Sequence, residues 1–369
     1  MAHRLPLGKV LRPTRGLKTM RTTDPKRSQL GALAFGALTL LSVGAWVTRR
    51  KTRQVEAQHP PTGHFIDVDG VRLHYTERGP SSAPTVVLLH GNGAMTTEME
   101  LSGLVAQLAD RYRVIVFDRP GYGYSERPSG RSFTPPAQAA LFHDALMRLG
   151  VREAIALGHS WGAMVATAMA LADPAFVRGV MLVSGYYTPS LRLDVTWMSP
   201  PALPLVGTLM RHTVSPLLAR LLWPAMMRRI FAPAPTAPAF AQGYPVWMSL
   251  RPGTLRASAA EAAMMIPQAI HLLRQESNLR VPVAIVAGQK DRLVSTAWHS
   301  SRLHRRLPGS RLHVVPNAGH MVHHTAPDAV AAALDELVAR AWPKGLSESA
   351  QAVPEDFHQA THPHPRPVT

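Results

Sequence analysis

GHSWG, residues 158–162, places a serine between two glycines, after the apolar run EAIAL and ahead of a stretch with helical character. A pentapeptide of this kind arises by chance in many chains, because small and polar residues are common. Its meaning depends on the elements on either side. The run before it predicts a buried strand, and residues 161–172 predict a helix, so Ser160 stands at a strand-to-helix turn.

A sharp turn of this kind strains the backbone of its central residue and leaves no room for side chains at the flanking positions. Gly158 and Gly162 remove that collision. Ser160 is then exposed at the carboxyl end of the sheet, beside a helix N-terminus whose free N–H groups favour developing negative charge. We therefore interpret Ser160 as a nucleophile and the two glycines as the elbow that presents it.

The rest of the chain from Phe65 alternates short β-branched runs with helical stretches. This pattern predicts an α/β fold with a mainly parallel sheet and helices on both faces. A hairpin is expected over 65–79 with its turn at Asp69-Gly70. Further strands are predicted at 84–91, 112–118, 153–160, 179–185, 281–288 and 311–320, and helices at 98–109, 136–149, 161–172 and 328–341.

A serine hydroxyl is a poor nucleophile unless a base takes its proton and a carboxylate orients that base. Of eighteen histidines, His320 directly follows a predicted strand, at the same sheet edge as Ser160. We expect His323 and His324, nearer the last helix, to face solvent or to support His320.

Two aspartates follow strands and could supply the carboxylate. Asp291 comes directly after the strand at 281–288, which places it at the same edge as His320. Asp118 leads the Gly-rich stretch DRPGYGYS, where an aspartate that caps backbone N–H groups is the simpler interpretation. Asp291 is therefore the predicted acid.

Five motifs now stand in order along the chain: HGNG (90–93), DRPGYGYS (118–125), GHSWG (158–162), GQKD (288–291) and NAGH (317–320). With them the chain resembles the α/β-hydrolase fold family over residues 65–342. The resemblance implies a catalytic triad in the order nucleophile, acid, base, and an oxyanion hole formed by the backbone N–H groups of Asn92 and Trp161. It implies neither a metal nor an organic cofactor.

The same resemblance narrows the chemistry. Around DRPGYGYS the chain is similar to haloalkane dehalogenases and epoxide hydrolases, but those enzymes carry an aspartate where this chain has Ser160. Ester or thioester hydrolysis, acyl transfer, carbon–carbon bond hydrolysis and perhydrolase chemistry remain, and we predict hydrolysis of a carboxylic ester. The alternative from another class is a ligand-binding protein that keeps the fold without catalysis.

Composition sets outer limits. A chain of 369 residues with 46% apolar and 17% charged residues can bury a large core, and the absence of cysteine excludes a thiolate nucleophile and a Cys-based zinc site. The net charge of +17 is concentrated near the N-terminus, since residues 1–60 hold twelve Lys or Arg against two acidic residues. The basic residues are not part of any nucleic-acid-binding motif, so we do not expect nucleic acid to be a partner.

Residues 30–47 form an uncharged run of roughly 27 Å as a helix, which nearly matches the hydrocarbon core of a bilayer. A cleaved signal peptide and a buried helix are the alternatives. Arg49, Arg50 and Lys51 follow the run directly, which favours an uncleaved single-pass anchor. Basic residues on both sides give only a slight preference for a cytoplasmic N-terminus, with the catalytic domain periplasmic or extracellular.

The chain therefore divides into a basic segment 1–29, the anchor 30–47, a linker 48–64, a core 65–185 and 281–342, a helical cap 186–280 and a disordered tail 343–369. The cap segment carries nine Arg against three acidic residues, which suits contact with anionic lipid headgroups. Its Met and Trp side chains could line an apolar, acyl-binding pocket or pack the cap on the core. They are Met198, Met210, Met226, Met227, Met248, Met264, Met265, Trp197, Trp223 and Trp247. Oligomeric state is not predicted.

Overall fold

The computed structural model describes residues 25–190 and 199–343, which divide into two compact units, one up to Val43 and one from Gly44 onward. The predictions for residues 1–24, for residues 191–198 with Trp197 and Met198, and for the tail from residue 344 lie outside the described residues.

In the first unit the described residues belong to a long helix, α1, Pro25–Gln58. An apolar window of this helix has a mean hydropathy of 1.9, and its large side chains, such as Leu33, Phe35 and Leu40, are exposed. By length and composition the helix could cross a membrane.

The last turns of α1 belong to the second unit and are packed there. Thr48 and Val55 are buried, and the Glu56 carboxylate lies 2.9 Å from the Arg251 guanidinium. The apolar run and the packed residues after it therefore belong to the same helix.

The second unit contains an eight-stranded sheet with helices, as predicted. The strand order is β1-β2-β4-β3-β5-β6-β7-β8; β1 and β2 are antiparallel to their neighbours, and the other strands are parallel. The strands are β1 His64–Val68, β2 Val71–Arg78, β3 Thr85–Leu89, β4 Arg113–Phe117, β5 Ala154–His159, β6 Val177–Val183, β7 Val283–Gly288 and β8 Arg311–Val315.

Thirteen α-helices occur in the described residues, and three of the four predicted helical stretches each form a single helix. The stretch 98–109 is not one helix but two, because Gly103 takes a φ of 80° and the Ser102 hydroxyl accepts a hydrogen bond from the Leu104 N–H. After α1, the helices are α2 Thr96–Leu101, α3 Leu104–Ala109, α4 Pro135–Arg148, α5 Trp161–Ala172, α6 Val206–His212, α7 Val214–Phe231, α8 Pro238–Gly243, α9 Val246–Ser249, α10 Pro252–Leu273, α11 Ser300–Arg306, α12 Val322–Thr325 and α13 Pro327–Ala341.

Helices α6 to α10 lie between β6 and β7, in the segment that the sequence assigns to a cap. Met227 and Met248 are buried there in a cluster with Phe231, Phe240 and Tyr244. For these two methionines, packing within the fold accounts for the residue type.

The turn between β5 and α5 is strained in the way the sequence predicts. Ser160 has φ 53° and ψ −114°, an unusual conformation for a residue with a side chain. A Cβ added at Gly158 would lie 2.2 Å from the Gly162 carbonyl oxygen, and one at Gly162 would lie 2.1 Å from the Leu89 carbonyl oxygen. Both obstacles are backbone atoms, so only glycine fits at either position.

We expect Gly162→Ala to destabilise the fold by about 1–3 kcal/mol or more, because the new methyl group must displace β3. Gly253→Ala is the matched control. It also lies in the first turn of a helix, its Cβ would meet nothing within 4 Å, and the change should leave stability equal or slightly higher. Chemical unfolding in detergent measures both, and equal stabilities would contradict the close packing at Gly162.

Candidate active site

His320 and Asp291 meet at the carboxyl edge of the sheet. Asp291 lies in the loop after β7, His320 in the loop after β8, and His320 Nδ1 is 2.8 Å from Asp291 Oδ2. The other carboxylate oxygen accepts hydrogen bonds of 2.8 Å from the backbone N–H groups of Leu293 and Val294. Both side chains are almost fully buried, so the carboxylate is fixed and holds one imidazole nitrogen.

The loop that carries His320 is packed on both sides. The His320 N–H donates to the Ile230 carbonyl at the end of α7, and His159 Nε2 lies 3.2 Å from the His320 carbonyl oxygen. A Cβ at Gly319 would lie 2.1 Å from the Ala232 carbonyl oxygen. The imidazole position is thus determined by the core on one side and by α7 on the other.

Ser160 lies at the same sheet edge, since its N–H donates to the carbonyl of Val183, the last residue of β6. Its residue is partly exposed. Within residues 25–190 and 199–343, no hydrogen bond joins Ser160 Oγ to His320. The structure therefore brings His320 and Asp291 into contact and places Ser160 at their edge of the sheet without a direct bond.

The HGNG loop lies against Ser160. A Cβ at Gly91 would be 3.2 Å from the Ser160 Cβ. The Asn92 side chain is turned toward α10, where its amide donates to the Ser258 carbonyl at 3.0 Å. Among the described residues, the backbone N–H groups of Asn92 and Trp161 have no protein acceptor, so both remain available to a ligand.

Arg119 fixes the orientation of this loop. Its guanidinium donates to the His90 carbonyl at 2.8 Å and to the Gly91 carbonyl at 2.9 Å. His90 Nδ1 also lies 2.8 Å from the Gly91 oxygen. Because the C=O and N–H of a trans peptide point in opposite directions, anchoring the Gly91 carbonyl turns the Asn92 N–H away from Arg119.

The charge of Arg119 is matched by Glu261 on α10. The two side chains form a two-point ion pair with N···O distances of 2.5 and 3.0 Å, and both are fully buried. The Tyr122 hydroxyl donates to the same carboxylate at 2.7 Å. Burial and the Glu261 charge raise the pKa of Tyr122 well above its usual range, so this phenol stays neutral and keeps donating.

Asp118 has a structural position, as its motif suggests. Its carboxylate accepts backbone N–H bonds from Thr96 at 2.7 Å and Tyr124 at 2.9 Å, and lies 2.7 Å from His74 Nδ1. A Cβ at Gly123 would lie 1.9 Å from this carboxylate. Asp118 is therefore committed to the loop that carries Arg119 and does not approach His320.

His323 and His324 do not face solvent, which was one of their two predicted positions. His323 and His324 are buried, and their Nε2 atoms lie 2.5 and 2.8 Å from Glu98 Oε1. Burial lowers the pKa of His323, although the nearby Glu98 charge acts in the opposite direction. The centre of the His159 ring is 4.3 Å from that of His323 and 4.9 Å from that of His320, so the cluster lies directly behind His320.

Glu98, His323 and His324 are also the one group in the described ranges whose donor atoms are close enough together for a metal ion. The direct hydrogen-bond distances fit a carboxylate shared by two imidazoles. In the sequence, the adjacent pair His323 and His324 indicated that a histidine cluster could lie near His320. No motif or spacing connected this pair with Glu98, which lies more than two hundred residues earlier.

Comparisons with known proteins agree on the fold. The alpha/beta hydrolase fold family matches residues 84–327. Haloalkane dehalogenase 2 of Mycobacterium bovis is 27% identical over 75% of this chain and 95% of its own length, and a putative carbamate hydrolase, RutD, of Escherichia coli is 28% identical over 67% and 88%. The solved structure of a bacterial membrane phospholipase A aligns with a TM-score of 0.55 at 24% identity, over 85% of this chain and 99% of that one.

We expect Glu261→Ala to cost about 3–5 kcal/mol of unfolding free energy, because it leaves the Arg119 charge buried without a partner. Glu336→Gln removes an exposed acidic partner of Arg311 and serves as the control, with a cost below about 1 kcal/mol. Urea unfolding in detergent compares the two. A Glu261→Ala protein as stable as the control would show that the buried pair contributes little.

The buried histidines predict a loss of stability toward acid. Burial, and then the Arg119 charge, lower the pKa of His90 from 6.5 to about 4, and burial also lowers the pKa of His159 and His323. Between these values the unfolded chain binds protons that the folded chain excludes, so stability falls as pH falls through this window. His90 alone accounts for about 3 kcal/mol.

Unfolding free energies measured across this pH window test the effect. His90→Gln should flatten the dependence, whereas His143→Gln, at a partly exposed site, should leave the slope unchanged. A slope that does not respond to His90→Gln would assign the acid sensitivity to other groups.

Proposed function

Because this chain belongs to the alpha/beta hydrolase fold family, we propose that it is a serine hydrolase that cleaves a carboxylic ester through Ser160, His320 and Asp291. The observation that carries the proposal is the joint placement of three features at one sheet edge. These are a strained elbow serine, a buried imidazole–carboxylate pair, and a loop whose free N–H faces away from its arginine anchor.

In this proposal Ser160 Oγ attacks the carbonyl carbon while His320 Nε2 takes the hydroxyl proton. Asp291 holds the other imidazole nitrogen and stabilises the ring when it is charged. The carbonyl oxygen becomes an oxyanion that accepts hydrogen bonds from the N–H groups of Asn92 and Trp161. His320 then gives its proton to the leaving alkoxide, and a water molecule activated by the same ring releases the acid and regenerates Ser160.

The residue at the elbow separates this reaction from that of the dehalogenase relative. A serine ester intermediate forms from an acyl substrate, whereas Ser160 offers no carboxylate for displacement of a halide from carbon. We expect hydrolysis of p-nitrophenyl esters with a preference for longer acyl chains, and no halide release from haloalkanes.

We also propose that α1 is an uncleaved membrane anchor. Cleavage after the apolar run would divide a helix whose following turns are packed on the body through Thr48 and Val55. The Arg50 guanidinium lies 5.3 Å from the centre of the Trp46 ring, and this pairing of an aromatic ring with a cation suits a bilayer interface. The substrate would then be an apolar ester that reaches a membrane-bound enzyme.

The nucleophile is tested with a fluorophosphonate probe on the full chain in detergent. Wild type should be labelled, and Ser160→Ala should lose all labelling because the reacting oxygen is gone. Ser129→Ala, at an exposed serine, is the control and should label like wild type. A folded wild type that stays unlabelled would favour the ligand-binding alternative.

Asp291→Asn tests the role of the carboxylate. The amide cannot stabilise a charged His320, and the esterase kcat should fall by about 10⁴-fold with KM little changed. Asp328→Asn, at an acidic residue in the first turn of α13, is the control. A change of less than tenfold at Asp291, about 1.4 kcal/mol, would exclude it as the acid of the triad.

A further inference from the structure

An apolar stripe on α7 faces solvent. Val214, Leu217, Leu218, Leu221 and Leu222 are exposed, with Leu221 at 76%. Their spacing of three and four residues puts them on one side of the helix, which in a globular protein is the side turned to the core.

The preceding helix and its approach segment add to this surface. Leu203, Leu205, Val206 and Leu209 are exposed as well, and Leu205 reaches 86%. Apolar exposure of this extent on consecutive elements marks a contact surface. We call these nine residues, on α6, its approach segment and α7, the cap stripe.

The stripe begins next to Gly44 of α1. Thr213, between α6 and α7, packs against Gly44, where an added Cβ would lie 3.1 Å from the Thr213 carbonyl oxygen. Gly44 lies within residues 30–47. If that run lies in the bilayer, then the contact at Gly44 sets the start of α7 at the bilayer boundary.

The charges around the stripe fit this position. Arg220, Arg228 and Arg229 are exposed on α7 among or beyond the leucines, and Arg49 and Arg50 follow the apolar run of α1. Long cationic side chains at such places reach headgroup phosphates while their stems cover apolar surface. Helices that bind in the plane of a membrane interface combine an apolar stripe with basic side chains in this way.

We propose that the cap stripe is a membrane-docking surface, whose occupant is the interfacial layer of an anionic bilayer. The inference rests on the proposed membrane anchoring through α1 and goes beyond it, because it assigns a second contact with lipid. Since the carbonyl of Ile230, in the last turn of α7, accepts the His320 N–H, the docked helix leads from the lipid surface to the proposed base.

The chain has no cysteine, so one introduced cysteine carries one fluorophore. We would label Leu221→Cys with an environment-sensitive dye, and Leu222→Cys as a second stripe position. Leu38→Cys lies in the apolar run of α1, and Met147→Cys is an exposed position on α4. The full chain is reconstituted in vesicles of phosphatidylcholine and phosphatidylglycerol that contain spin-labelled lipids.

The stripe labels should shift their emission to the blue and lose most of their intensity to spin labels placed near the headgroups. The Leu38 label should respond to spin labels deep in the acyl chains, and the Met147 label to neither. Stripe labels that stay unquenched while Leu38 is quenched would overturn the docking surface and leave the anchor intact. No quenching at any position would overturn both.

A second copy of the chain is the competing occupant. It predicts a blue shift that persists in detergent, ignores lipid quenchers and disappears on dilution of the protein, and this result would overturn lipid docking. Fluorophosphonate labelling is measured in parallel on each variant. Absence of labelling in wild type would contradict the proposed ester hydrolysis. The quenching results would still decide whether the cap stripe contacts lipid.

Discussion

The fold depends on the close approach of α5 to the strands beneath it. Gly158 and Gly162 bring backbone to backbone at a distance that no side chain allows, and this approach is what lets β5 turn directly into a helix. This sharp turn forces Ser160 into a strained backbone conformation. Two backbone hydrogen bonds hold that conformation: the Ser160 N–H donates to β6, and the Ser160 carbonyl accepts the first hydrogen bond of α5. A strained residue held from both sides keeps its side chain at one place on the sheet edge.

Around this point, the site is supported by groups that are neutral or paired. Arg119 is fully buried near the HGNG loop, and its guanidinium donates to two carbonyls, to Gln138 and to Glu261. Behind His320, the imidazoles of His323 and His324 share the Glu98 carboxylate. Buried polar groups arranged in this way specify one geometry, because any displacement leaves a donor or acceptor unpaired in a medium of low dielectric.

The sequence predicted the features that depend on residues close to one another along the chain. Apolar runs marked all six strands after the hairpin, and the positions just after them predicted that His320 and Asp291 meet, because the carboxyl ends of parallel strands share one edge. The break at Gly103 was missed because one glycine in a helical stretch is often tolerated. The pairing of Arg119 with Glu261 and of Glu98 with His323 joins residues more than a hundred positions apart, and no period or motif connects them.

The Arg119–Glu261 pair also limits how a substrate can enter. Glu261 lies on α10, so lifting that helix away from the core would separate a buried ion pair and break the hydrogen bond from the Asn92 side chain to the Ser258 carbonyl. Wide, hinged opening of this part of the protein, on the microsecond to millisecond scale, is thereby opposed. For the proposed hydrolase, entry of a substrate by rigid-body displacement of α10 would carry the free-energy cost of separating this ion pair.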